Sequence, residues 1–153
     1  MGKTPQGSID SDDLAQGPFR PHGRSIVWPD DDIFRVQTVG PFNAEAVEAI
    51  GRTREKVLEE HPPVRNYAFI NSWQGSVMMS DAVLEVYSET LKASYTHRYR
   101  RPSAMAWVVP AGVEGARFME PRLRAVFDAY GIPFRMFLDE ARADSWVREL
   151  LGH

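Results

Sequence analysis

Three short apolar runs separated by helical patterns constrain this chain more than any other feature of it. Residues 67–71, 104–109 and 134–138 are each too short for a buried helix and are closed by Gly, Pro or Asp. Between them, apolar residues recur every three or four positions. One such set is Val83 or Leu84, Tyr87, Leu91 and Tyr95; the next is Met119, Leu123, Val126, Phe127 and Tyr130. A single strand that returns to the sheet through a helix must make a right-handed crossover and pair in parallel. Strands covered by helices on both faces read as continuous apolar runs, as these do.

The upstream segment extends the pattern. Residues 25–28 and 33–39 predict two strands around the turn Pro29-Asp30-Asp31-Asp32, and Gly40-Pro41 stops the second. Asn43 stands at an N-cap, Glu45 complements the helix dipole, and Val47, Ile50, Val57 and Leu58 give an amphipathic helix over residues 44–60. After the bend at Gln74-Gly75-Ser76, a second helix is expected from Ser80-Asp81 to about Arg98. A third is expected to become regular near Met119, with Pro121 in its first turn and Gly131 as its C-cap. Asp139 caps a last helix whose inner face is Ala143, Trp146 or Val147, and Leu150. The predicted fold is α/β: a mixed, mainly parallel five-stranded sheet with about four helices, in the order β-β-α-β-α-β-α-β-α. Residues 1–24 hold four glycines, three prolines and few large apolar side chains. They predict a flexible arm ahead of a single domain over residues 25–153.

Composition narrows the function. A net charge of −3 argues against a sequence-independent grip on nucleic acid. The absence of cysteine removes disulfides, thiolate catalysis and cysteine-ligated metals. The longest apolar stretch, residues 104–113, is interrupted by Pro110 and is half of a membrane span. No secretory signal is visible, so a soluble cytoplasmic protein is expected. His22, His61, His97 and His153 lack metal-ligand spacing, and Asp30-Asp31-Asp32 lacks the alternation of a calcium loop. Gly112-Val113-Glu114-Gly115 is no phosphate loop, and Trp73-Gln74-Gly75-Ser76 is no nucleophile elbow. No catalytic residue, cofactor or metal is expected.

Three groups of residues stand out. Ser80, beside Asp81, reads either as a helix N-cap or as a phosphate acceptor favoured by the helix N-terminus. Arg98, Arg100 and Arg101 read either as cations at a helix C-terminus or as a local anion contact. Trp73, Met78 and Met79 follow a central strand, and Phe118 and Met119 begin the next helix. They read either as core or as an adaptable apolar pocket or protein-binding patch.

The element order, together with three stretches, resembles the STAS domains, specifically the SpoIIAA-like bacterial branch of mostly unassigned function. The first stretch is Tyr67-Ala68-Phe69-Ile70-Asn71 leading to Ser80-Asp81 and on to Tyr87. The second is Met105-Ala106-Trp107-Val108-Val109-Pro110. The third runs from Tyr130-Gly131-Ile132-Pro133 through Phe137-Leu138-Asp139-Glu140-Ala141, with Trp146 in the last helix. The resemblance implies a non-enzymatic regulatory module that works by protein–protein interaction. Ser80 matches the serine that a partner kinase phosphorylates in STAS proteins, although Met78-Met79-Ser80-Asp81 stands where the family has Asp-Ser-Ser-Gly. The implied partners are a kinase or an anti-sigma-type regulator. Similar folds of the CRAL-TRIO group hold apolar ligands, so the alternative is a carrier or sensor of a small apolar ligand. The exposed strand edges of such a sheet would also allow a homodimer.

Overall fold

The computed structural model describes residues 4–153, and all elements and counts below refer to those residues. Strand β1 (Ile9–Asp10) runs into a single 3-10 turn (Ser11–Leu14). Then come β2 (Arg24–Asp30), β3 (Ile33–Val39), α1 (Ala44–Glu60), β4 (Ala68–Gln74) and α2 (Asp81–Tyr95). The chain finishes with β5 (Ala104–Val108), α3 (Ala116–Asp128), β6 (Phe134–Phe137) and α4 (Glu140–Leu151). From Arg24 onward this is the expected β-β-α-β-α-β-α-β-α order. No described helix is long and apolar enough to cross a membrane.

The six strands lie side by side in chain order. β1, β2 and β3 pair antiparallel, and β3 to β6 pair in parallel. Because each crossover steps to the next strand in the same direction and with the same hand, α1, α2 and α3 fall on one face of the sheet. The buried side chains divide accordingly. Along β5, Met105 and Trp107 join a core with α1, α2 and α3, while Ala104, Ala106 and Val108 face Ala143 and Val147 of α4. The first core is built of large aromatics: Trp107 is 1% exposed and packs against Trp73, Tyr87, Phe127 and Phe134. The second is built of aliphatic residues without a buried aromatic, and Ala68 of β4 with Ala104 and Ala106 at alternate positions of β5 lets α4 lie close to the sheet.

Three expectations change. The sheet has six strands rather than five, because Ile9–Asp10 adds to β2 with Ile9 opposite Val27. The segment that was expected to be a flexible arm therefore contributes buried Ile9 and Ser11, and the Ser11 hydroxyl accepts a hydrogen bond from the Ser25 N–H at 2.9 Å. Residues 1–3 of that arm lie outside the described residues. The β2–β3 turn is tighter than expected: β2 runs to Asp30, and Asp31 takes a left-handed φ of 58°. Pro29 is tolerated inside β2 because β1 pairs only as far as Val27, so no neighbour there needs its missing N–H. Helix α3 starts at Ala116, earlier than Met119, which leaves Pro121 inside the helix instead of in its first turn. Gly115, at φ 94°, makes the sharp entry that a side chain there would resist, since its Cβ would lie 2.5 Å from the Met78 sulfur.

Candidate functional site

All four α-helices begin at the carboxyl end of the parallel strands, where open α/β sheets commonly bind ligands and partners. The loops there are fixed by their backbones. Gly40 N–H donates to the Gln74 carbonyl at 3.1 Å, Glu114 N–H to the Gly75 carbonyl at 3.1 Å, and Val77 N–H to the Glu114 carbonyl at 2.9 Å. The loops after β3, β4 and β5 are thus laced together. A Cβ on Gly40 would stand 2.0 Å from the Ser76 carbonyl oxygen, so this crossing admits no side chain. The Ser76 hydroxyl is buried and accepts from the Met78 N–H at 3.0 Å, a local turn that aims the chain into α2.

Ser80 is the N-cap of α2. Its Oγ accepts from the Val83 N–H at 3.2 Å, and the residue is exposed, as is Asp81 in the first turn. Just before it, buried Met79 anchors the segment and half-buried Met78 lies over Gly115. Trp73 and Met119 belong to the aromatic core, at 3% and 0% exposure, so three of the five residues expected around an apolar pocket (Trp73, Met79, Met119) are committed to packing. Phe118 is half exposed. The Arg122 guanidinium lies 3.7 Å above its ring and donates to the Phe118 carbonyl at 2.9 Å. Val39, ending β3, and Leu138, following β6, are also exposed at this end. Val39, Phe118, Leu138 and Ser80 all lie along the rim at this end, with Val39 turned to the α4 face and β3 and β6 three strand spacings, about 14 Å, apart.

The basic cluster lies at the opposite, amino end of the parallel strands. Arg98 donates to Glu55 at 2.9 Å and to Glu59 at 3.3 Å, both on α1. Arg100 donates to the Arg65 carbonyl and sits over the Tyr67 ring, and Arg101 donates to the Tyr130 carbonyl at 2.8 Å. The Tyr99 hydroxyl donates to Glu59 at 2.6 Å; desolvation and this bond push its phenol up to about 12. Nearby, Arg65 pairs with Asp31 at 2.8 Å and His153 Nε2 lies 2.8 Å from Asp32. Each expected anion-contact arginine is therefore engaged within the fold and ties one helix end to another.

Val39, Leu138 and the Gly40–Gly75 crossing were not singled out by the sequence. The exposed apolar pair carries no local signal, because both residues continue strands that also hold buried apolar side chains, Ile33 and Phe34 in β3 and Phe134 in β6. Comparison of the chain with protein-family models, with curated proteins and with solved structures found no match in any of the three.

Proposed function

We propose that this chain is a non-enzymatic, STAS-like regulatory module of the cytoplasm. It binds a protein partner through the carboxyl end of its sheet and is switched by phosphorylation of Ser80. The observation that carries this reading is the exposed Ser80 hydroxyl at the start of α2, on the rim that also displays Val39, Phe118 and Leu138. The element order from Arg24 onward, the same as the one from which the resemblance was drawn, supports it as well.

The chemistry is compatible at each step. The Ser80 oxygen, as nucleophile, would take the terminal phosphoryl group of a nucleoside triphosphate on a partner kinase, with the diphosphate leaving and the hydroxyl proton passing to the kinase's base. The new dianion meets the N-terminal N–H groups and positive dipole end of α2, which act against the repulsion of the neighbouring Asp81 carboxylate. It also changes the charge beside the apolar rim, which alters the fit of a kinase or an anti-sigma-type regulator docked there. An aromatic ring stacked under an arginine, as at Phe118 and Arg122, is the kind of pair that anchors protein interfaces. The alternative, a carrier of a small apolar ligand in a pocket at this end, has less behind it because Trp73, Met79 and Met119 are packed into the core.

The test is the intact mass of the protein purified from the cells that make it. A fraction heavier by one phosphate, mapped by fragmentation to Ser80, is expected. A co-purifying partner should be retained by Ser80→Ala and lost with Ser80→Asp. An unmodified Ser80 together with a partner indifferent to both substitutions would overturn the proposal.

A further inference from the structure

Two arginines are largely buried against this sheet, and their surroundings differ. Arg35, on the α4 face, pairs with Asp30 at 2.6 Å, Asp144 at 2.8 Å and Glu140 at 3.2 Å. Arg54 lies on the inward stripe of α1 and is only 6% exposed. One of its terminal nitrogens, Nη2, donates to the Thr90 carbonyl at 2.9 Å and the Ser94 hydroxyl at 3.2 Å, and its guanidinium carbon lies 5.5 Å from the centre of the Tyr95 ring. These partners are neutral. Its buried Nε has no hydrogen-bond partner in the protein, and none of the ion pairs among the described residues includes Arg54. A charge so far removed from water calls for a counter-charge.

A cavity of about 50 Å³ lies beside Arg54, between the sheet and helices α1 and α2. Its walls include Val27, Val36, Phe69 and Met105, and its polar groups are Ser25, Thr53, Arg54, Asn71 and Tyr87, with no carboxylate among them. The hydrogen-bond directions leave Arg54, Asn71 and Tyr87 as its donors, while Ser25 and Thr53, whose protons are spent elsewhere, offer it only lone pairs. Thr38 donates to the Asn71 Oδ1 at 2.6 Å, so Ser25 must donate to Thr38 at 2.8 Å, and the free end of Asn71 is its amide NH₂. The Thr53 proton goes to the Ala49 carbonyl at 2.7 Å. The Tyr87 phenol is protonated at neutral pH, burial pushes its pKa further up, and its O–H is able to donate. The volume suits one or two water-sized particles of about 30 Å³ each and is too small for a solvated phosphate or sulfate.

We propose that the cavity walled by Arg54, Asn71 and Tyr87 is a binding site for a bare monovalent anion of halide size. Such an ion neutralises the Arg54 guanidinium and clamps α1 and α2 onto the sheet, and the site is separate from the Ser80 rim. It stabilises the folded protein by mass action, because the unfolded chain has no such site.

Two measurements test this on the full-length chain. Crystals grown in sodium bromide should give an anomalous peak within hydrogen-bond reach of the Arg54 guanidinium. Thermal unfolding in sodium chloride should give a midpoint several degrees higher than in sodium gluconate of equal ionic strength. Arg54→Met should abolish that difference. Asn71→Asp, which places a carboxylate of nearly the same shape in the cavity, should abolish it too, and it keeps the test decisive if Arg54→Met does not fold. A cavity holding only water in the bromide crystals would overturn the proposal. So would a chloride effect of the same size in Asn71→Asp as in the parent.

Discussion

The two ends of the sheet are closed in different ways. At the amino end the closure is made by side chains. Arg65, Arg98, Arg100, Arg101 and Tyr99 each reach from one loop or helix end to another, and each has its polar partner. At the carboxyl end the closure is made by backbone, with three loops hydrogen-bonded to one another and two glycines in contact. A backbone closure leaves side chains free, and the ones left free here are Ser80, Val39, Phe118 and Leu138. The same fold thus has an end whose arginines are engaged internally and an end that is rigid and still presents a surface. That difference is why the contact surface is placed at the carboxyl end and not at the arginine cluster.

The comparison breaks most visibly at Gly40. Gly40→Ala forces a methyl group to within 2.0 Å of the Ser76 carbonyl and should cost about 3 kcal/mol in urea unfolding, since backbone on both sides must move. A loss under about 1 kcal/mol would mean the crossing is looser than described. Arg35→Met should come next, at about 2 kcal/mol near neutral pH, because Asp144 and Glu140 of α4 lose their link to β3. The sign of its pH dependence follows from Asp144. Desolvation acts to raise that carboxyl, but hydrogen bonds from Arg148 and Arg35 outweigh it and hold it below 3.8. The folded state therefore binds this proton less tightly than the unfolded state, and the stabilisation is present above pH 3.8 and lost as the pH falls below it. An acid titration followed by circular dichroism should be shallower for Arg35→Met than for the parent.

Smaller effects separate the ends. Ser80→Ala removes an N-cap and should cost about 1 kcal/mol, whereas Ser80→Asp keeps a good cap and should lie within about 0.5 kcal/mol of the parent. Any loss of partner binding by the aspartate variant is then an effect of charge and not of folding. Arg98→Ala breaks exposed pairs and should cost about 0.5 kcal/mol, with no effect on partner binding. Lost binding in Arg98→Ala would move the contact surface to the amino end.

Much of this architecture is legible in the sequence, for identifiable reasons. Parallel strands such as residues 104–108 are apolar on both faces, and the caps at Asn43, Ser80 and Asp139 all accept the backbone hydrogen bonds expected of them. β1 escaped notice because two residues, Ile9 and Asp10, show no alternation, and its pairing depends on a segment distant in the chain. The start of α3 escaped because its entry is set by a left-handed glycine rather than by a side-chain cap. Arg54 did leave a signal: it follows Val47 by seven positions and Ile50 by four, a cation on the inward stripe of an amphipathic helix. That Val39 and Leu138 meet at the same end of the sheet is a tertiary fact, invisible to local pattern.

The most direct measurement places a photo-crosslinking amino acid at Phe118, Leu138 or Val64 in the full chain and irradiates the cells that make the protein. Val64 is 95% exposed and lies at the amino end, so it controls for exposure alone. The account predicts the same discrete adduct from Phe118 and Leu138, its loss when Ser80→Asp is combined with either, and no such adduct from Val64. Crosslinking from Val64 with none from Phe118 or Leu138, or an adduct unaffected by Ser80→Asp, would contradict it.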